Sequence, residues 1–221
     1  MSAQPLSRSG IPRRDEIVPR IQPWYRGDVH FLLLNAMGGA LMLWALSGVH
    51  WPTLPELALA PVAFLFINFA EWATHRGPMH HPGIPAILYQ RHTLLHHASF
   101  THESMAVRSH RELRIVLFPL WALLVPAGIV GIGALGIAAL TTPNAARVFY
   151  ATALGYYLLY EWCHLTYHLP DAWWITRTRM VSFMRRHHQR HHDPRVMTKK
   201  NFNVTFPIAD VLLGTYDGGE G

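Results

Sequence analysis

The sequence predicts an all-α integral membrane protein, with four transmembrane helices carrying a histidine-rich helical cap on the cytoplasmic side. Three observations lead there. Half of the 221 residues are hydrophobic and only 14% are charged, against about 25% charged in an ordinary soluble domain. The apolar residues gather in runs near the length that a crossing helix requires, about 20 residues. Sixteen histidines fall mostly in clusters just beyond those runs.

Residues 1–27 read as a basic arm, with Arg8, Arg13, Arg14 and Arg20 and no early apolar core. The arm lacks the features of a signal peptide and is expected to be mobile on the membrane surface. Residues 28–221 read as one domain. Its first span, about 30–50, contains "FLLLNAMGGALMLWALSGV". The second, about 55–74, includes Pro61, which membrane helices tolerate. Residues 115–146 are uncharged and suit one tilted span, about 114–140, followed by a turn at "TTPN". The fourth span is expected over about 146–165. The second and fourth runs lead directly into "EWATH" and "EWCHLTYH". Both helices should therefore project from the bilayer and carry histidines on their ends, with the cap formed by 75–113 and 164–221.

The basic residues orient this arrangement. With both termini inside, five of the nineteen lysines and arginines precede the first span, five lie in 75–114, eight in 177–200, and only Arg147 is outside. That bias places the termini and the cap in the cytoplasm. A bacterial inner membrane is the expected location, or the endoplasmic reticulum in a eukaryote. The charge of +6, set in so apolar a chain, points to anionic lipid headgroups and not to nucleic acid. Cys163 is the single cysteine, which excludes an internal disulfide and a cysteine zinc site.

Four histidine clusters follow in order: His75 and His80 (HX4H), His92, His96 and His97 (HX3HH), His164 and His168 (HX3H), and His188, His191 and His192 (HX2HH). Residues at i, i+3 and i+4 share a helix face, so the histidines of a box can converge on one ion. Neutral imidazole suits zinc, copper, iron or nickel. Ten ligands exceed what one ion uses, and two ions with four or five imidazoles each account for them. Spacing leaves open which histidine serves which ion. Glu71 and Glu161 are candidates to accept ligand N–H bonds from outside, or else they anchor the membrane interface.

In this order, between pairs of membrane helices, the four boxes resemble the fatty acid hydroxylase/sterol desaturase superfamily. The tail "NFNVTFPIADVLLGT" is similar to that family's closing segment. The likeness runs from about His75 to Thr215. The second box has three residues between its histidines where many members have two, and the tail reads Asn-Phe-Asn and Leu-Gly-Thr. The resemblance implies a cap holding a di-metal centre of two iron ions, with zinc able to replace iron on purification. It also implies O2 as oxidant and a separate ferredoxin- or cytochrome b5-like electron donor. The substrate would be a lipid C–H bond, first of all in a fatty acyl chain, with a sterol or carotenoid as the alternative. A metal-handling membrane protein is the alternative of another class. It is disfavoured because the spans hold almost no ionisable ligands.

Other residues carry weaker signals. His187 pairs with His191 at i, i+4, so spacing alone does not exclude it. Asn201 and Asn203 are candidates to hold a metal-bound water or to shape a turn, and Asp210 to anchor the last segment. His81, His102 and His110 read as polar surface or outer groups, and His30 and His50 as interfacial. Tyr25, Trp173 and Trp174 suit an interfacial belt. Arg185, Arg186, Arg190, Arg195, Lys199 and Lys200 form a basic strip facing lipid or an acidic donor.

Overall fold

The computed structural model describes residues 13–219. Its regular elements are helical, and the only bridge among the described residues is an isolated one between Thr101 and Ser104. The principal helices are α1 (Gly27–Ser47), α2 (Leu59–Thr74), α3 (Ala86–Arg91), α4 (Leu124–Leu140), α5 (Pro143–Tyr167), α6 (Arg179–His191) and α7 (Ile208–Leu212).

Helix α5 is the axis of the molecule and packs against α1, α2 and α4. Its start is well specified. Pro143 occupies the first turn, and the Thr142 hydroxyl accepts the Ala145 N–H at 3.1 Å, a standard helix cap. Leu34, Leu123, Ala127 and Leu154 close the core between α1, α4 and α5. A Cβ at Gly38 would lie 2.7 Å from Leu158 Cδ2, so this glycine sets how near α1 approaches α5. The outer faces are apolar too: Leu32, Leu43, Phe66, Ile129, Ile132 and Leu135 are exposed. Exposed apolar surface of that extent needs lipid or a partner to cover it.

Three helical stretches are long and apolar enough to cross a membrane: Gly27–Ser47, Leu54–Met79 and His110–Leu140. They overlap the first three expected spans, the first of them ending at Ser47 and not at about residue 50, and the chain is a membrane protein. The fourth expected span lies within α5. At 25 residues, or about 38 Å at 1.5 Å per residue, α5 is long enough, but its composition does not mark it as a span. The reason is its position. Enclosed by three neighbours, it needs little lipid-facing surface, and it carries Arg147, Glu161 and five tyrosines.

The expected mobile arm divides. Residues 1–12 lie outside the described residues. From Arg13 onward the chain is docked on the cap, which corrects that part of the expectation. Arg14 is buried and forms an ion pair with Glu112, with Nε to Oε1 at 3.1 Å, and it also donates to the Ala106 carbonyl at 2.8 Å. Ile17 and Ile21 pack with Phe100, Ile115 and Val116. Apolar burial and one buried ion pair outweigh the arm's solubility.

Candidate metal centre

All ten box histidines are at most 8% exposed, and they form two adjoining groups. His75, His80, His92, His97 and His191 make one; His96, His168, His188 and His192 make the other. Within each group the ligand atoms lie within 4.8 Å of one another. His164 joins the second through its Nε2, 3.2 Å from that of His96.

The local winding explains the division. The first box, His75–Met79 with His80 as its cap, and the second, His92–His97, are wound as π-helix. A π-helix closes i→i+5 hydrogen bonds and so winds more widely than an α-helix, which brings residues five apart nearer to one face, and His75 and His80, like His92 and His97, enter the same group. His96 is left pointing to the other group. In the α-helical boxes the i, i+4 pairs stay together: His164 with His168 on α5, and His188 with His192 at the end of α6. His191 crosses to the first group. Spacing alone did not reveal this partition, because it presumes α-helical winding throughout.

The chemistry of the nitrogens points to cations. The Nδ1 atoms of His96, His168, His191 and His192 lie 3.3, 2.7, 2.9 and 2.6 Å from the carbonyls of Ile115, Met105, Lys200 and Phe100. His75 Nδ1 bonds the Phe202 carbonyl. A carbonyl only accepts, so each of these Nδ1 atoms carries the hydrogen and the Nε2 lone pair is bare. Yet the Nε2 atoms face one another closely: 2.7 Å for His75–His92, 2.9 Å for His80–His191, 3.2 Å for His96–His192 and 3.1 Å for His188–His192. For His96 and His192, both fixed by carbonyls, two bare lone pairs meet at 3.2 Å, and they repel unless a cation lies between them. With metal–nitrogen bonds of about 2.1 Å, ligands at right angles are about 3.0 Å apart and at the tetrahedral angle about 3.4 Å. The observed separations are near the edges of such polyhedra, and the residues fit a pair of metal ions.

Electrostatics agrees. Burial, then neighbouring imidazoles, pushes His92, His96, His97, His168, His188 and His192 well below the ordinary histidine range. Burial holds His191 down to about 4. Neutral imidazole is the form that binds a metal.

The supporting residues take up positions that differ from several expectations. Glu71 and Glu161 have no histidine partner among the described residues, which corrects their reading as acceptors of ligand N–H bonds. Glu71 instead accepts from Tyr156 Oη at 2.5 Å, Val204 N at 2.5 Å and Thr205 Oγ1 at 2.7 Å. Glu161 accepts from Tyr157 Oη at 3.0 Å and Phe118 N at 3.4 Å. Asn201, at φ +60°, holds the backbone of Asp217 and the His187 carbonyl. Asn203 donates to the Asn68 carbonyl at 2.9 Å and accepts from Asp210 N at 3.1 Å. Both asparagines shape the tail.

Asp210 accepts from Phe202 N, Asn203 N and Thr215 Oγ1 at 2.9, 2.7 and 2.6 Å. His187 lies outside both groups, with Nε2 3.2 Å from Asp210 Oδ2. The tail therefore backs the first group, through Lys200 and Phe202. The 100–115 segment backs the second. His30, expected at the interface, is buried between Tyr25 Oη and the Phe118 carbonyl. His81 and His110 are exposed.

A family model described as "Fatty acid hydroxylase" matches residues 60–215. The chain belongs to the fatty acid hydroxylase family. No curated protein and no solved structure matches it. The matched region contains all ten histidines and the tail that backs the first group, and family membership makes the protein an oxidoreductase. The longer second box, a departure from many family members, is one of the two segments wound as π-helix, and its winding carries His92 and His97 to the same ion group.

Proposed function

We propose that this membrane hydroxylase holds two iron ions and inserts oxygen from O2 into an unactivated C–H bond of a lipid, most directly a fatty acyl chain. The observation that carries the reading is the two buried histidine groups, their ligand nitrogens within 4.8 Å of one another and neighbouring Nε2 atoms at about the edge lengths of coordination polyhedra. His75, His80, His92, His97 and His191 would hold one ion, and His96, His164, His168, His188 and His192 the other. Once bound, the metals supply O2 reduction and C–H cleavage, using two electrons and two protons per alcohol and water formed.

The chain's own contribution is geometry and dryness. The carbonyls of residues 100, 105, 115, 200 and 202 fix the imidazole tautomers. A narrow crevice lined by His92, His96, His164, Ile115, Leu117 and Phe118 touches ligands of both groups. Tyr160 also lines it, and its buried hydroxyl has no partner among the described residues. Four crossings, with α5 as the fourth and the cap in the cytoplasm, follow from the charge asymmetry.

Expression of the gene in a host lacking it, with comparison of the lipids, tests this function. A hydroxylated acyl lipid that disappears with His188→Ala is expected. An unchanged lipid profile from iron-loaded protein supplied with reductant would contradict it.

A further inference from the structure

The reaction proposed above consumes two electrons per turnover, and they must come from outside the metal pair. On the cap, a cleft of about 780 Å³ opens between the 103–108 loop and the segment from Pro170 to Gln189. We propose that this cleft is the docking site of an acidic electron-transfer protein, which delivers electrons one at a time to the second histidine group. The inference rests on the hydroxylase reading.

Position is the first argument. One wall of the cleft is hydrogen-bonded to His168 on both sides: the His168 Nδ1–H donates to the Met105 carbonyl at 2.7 Å, and Val107 N–H donates to the His168 carbonyl at 2.8 Å. On the other wall, Arg185 and Gln189 bracket His188 along α6. A redox protein seated here is one residue from two ligands of the second group. The first group is covered on its outer side by the tail.

Charge is the second argument. Arg108, Arg177, Arg185 and Arg186 line the cleft, against Glu103 and Asp171. Arg185 is paired with Asp171, and Arg108 with Asp15 at 3.1 Å. Arg177 and Arg186 are exposed, and their partners among the described residues are neutral: the Asp171 carbonyl at 3.3 Å and Ser182 Oγ at 2.7 Å. Half of the basic strip seen in the sequence is engaged elsewhere. Arg190 pairs with Asp217 at 2.8 Å and Arg195 with Asp193 at 2.5 Å, while Lys200 donates to the Gly214 carbonyl at 3.1 Å. Arg177 and Arg186 are thus the two cleft arginines with no carboxylate partner among the described residues, and they outnumber Glu103, the lining carboxylate not paired with an arginine. Each donor molecule is oxidised by one electron. Two encounters supply the pair that, with O2, two protons and the C–H bond, yields alcohol and water.

The test uses the iron-loaded protein in neutral-lipid nanodiscs, titrated with an acidic [2Fe–2S] ferredoxin at low salt. Arg177→Glu and Arg186→Glu should each weaken binding about tenfold and flatten its salt dependence, with metal content unchanged. Reduction of the centre by dithionite, which needs no dock, should keep its wild-type rate. Unchanged ferredoxin affinity and salt dependence in the double variant would overturn the proposal. So would reduction by NADH alone that the variants slow, since the cleft would then take a nicotinamide dinucleotide. Failure of dithionite to reduce the wild-type centre would instead sink the hydroxylase reading, and the dock's purpose with it, whatever the binding shows.

Discussion

Replacing Asp210 should release one metal ion and leave the other. Its carboxylate is fully buried and holds the backbone N–H groups of Phe202 and Asn203, beside the Phe202 carbonyl that orients His75. In Asp210→Ala those two amides lose their acceptor, at about 1–3 kcal/mol each, so about 2–6 kcal/mol of local order is lost at the tail. Asp210→Asn keeps the shape and one acceptor oxygen and should lose less. Disturbing an outer partner of a ligand typically costs about 10–100-fold in metal affinity. The loss should fall on the group of His75 and His191, because the second group is backed by Phe100, Met105 and Ile115. The assay is metal retained per chain against rising chelator. Asp210→Asn should shed about half its metal at concentrations where wild type keeps all of it. Loss of both ions in step, or of neither, would refute the reasoning. A pH signature accompanies this. Burial raises the Asp210 carboxyl, but His187, Thr215 and the two amides outweigh it and leave the group below the ordinary carboxylate range. A depressed folded-state pKa adds stability above the unfolded value of about 3.9, and that stability is lost as the pH falls through the folded value. In metal-free protein the advantage of wild type over Asp210→Asn should be constant from about pH 5 to 8 and shrink below about pH 4.

Adjacent histidines should behave differently: His188→Ala should lower the metal content and abolish product, whereas His187→Gln, still able to donate to Asp210, should retain both ions. Metal analysis of the two variants checks this. Arg14→Ala strands buried Glu112 and should destabilise the cap by about 3–5 kcal/mol, read as an earlier thermal transition. Arg14→Lys should recover only part of that loss, because it gives up the two-pronged contact. In a Cys163→Ser background, cysteines placed at Glu103 and Thr141 should label from opposite sides of sealed vesicles with a membrane-impermeant maleimide. Labelling from one side would remove the four-crossing arrangement.

The histidines were legible because metal ligands must be specific residues at specific spacings, and ten of them in four boxes stand out in any chain. Their division between two groups was not, since it depends on π-helical winding at His75–Met79 and His92–His97, which histidine spacing does not signal. Three spans were legible as apolar runs that lipid demands. Helix α5 was legible as a helix but not apolar enough to be marked as a span in the structure, because a central helix is solvated by its neighbours. A glutamate preceding a histidine box on a helix suggests either an outer ligand partner or an interface anchor, and sequence alone does not choose between them for Glu71 and Glu161. Only the fold shows that Glu71 reaches across to residues 203–205. The tail could be read as an anchor through Asp210, and its hold on His75 and His191 through backbone carbonyls leaves no mark on side-chain identity. Arg14 and Ile17 read as part of a mobile arm because their segment is basic and has no early apolar core, and their packing with Glu112 and Phe100 is a long-range contact.

The most direct test of the central claim is the metal content of gently purified protein, measured per chain together with that of His80→Ala and His168→Ala. The account predicts about two ions in the wild type and about one in each single variant, with neither remaining when both histidines are replaced. Fewer than one ion per chain in the wild type, or two ions retained in the double variant, would contradict it.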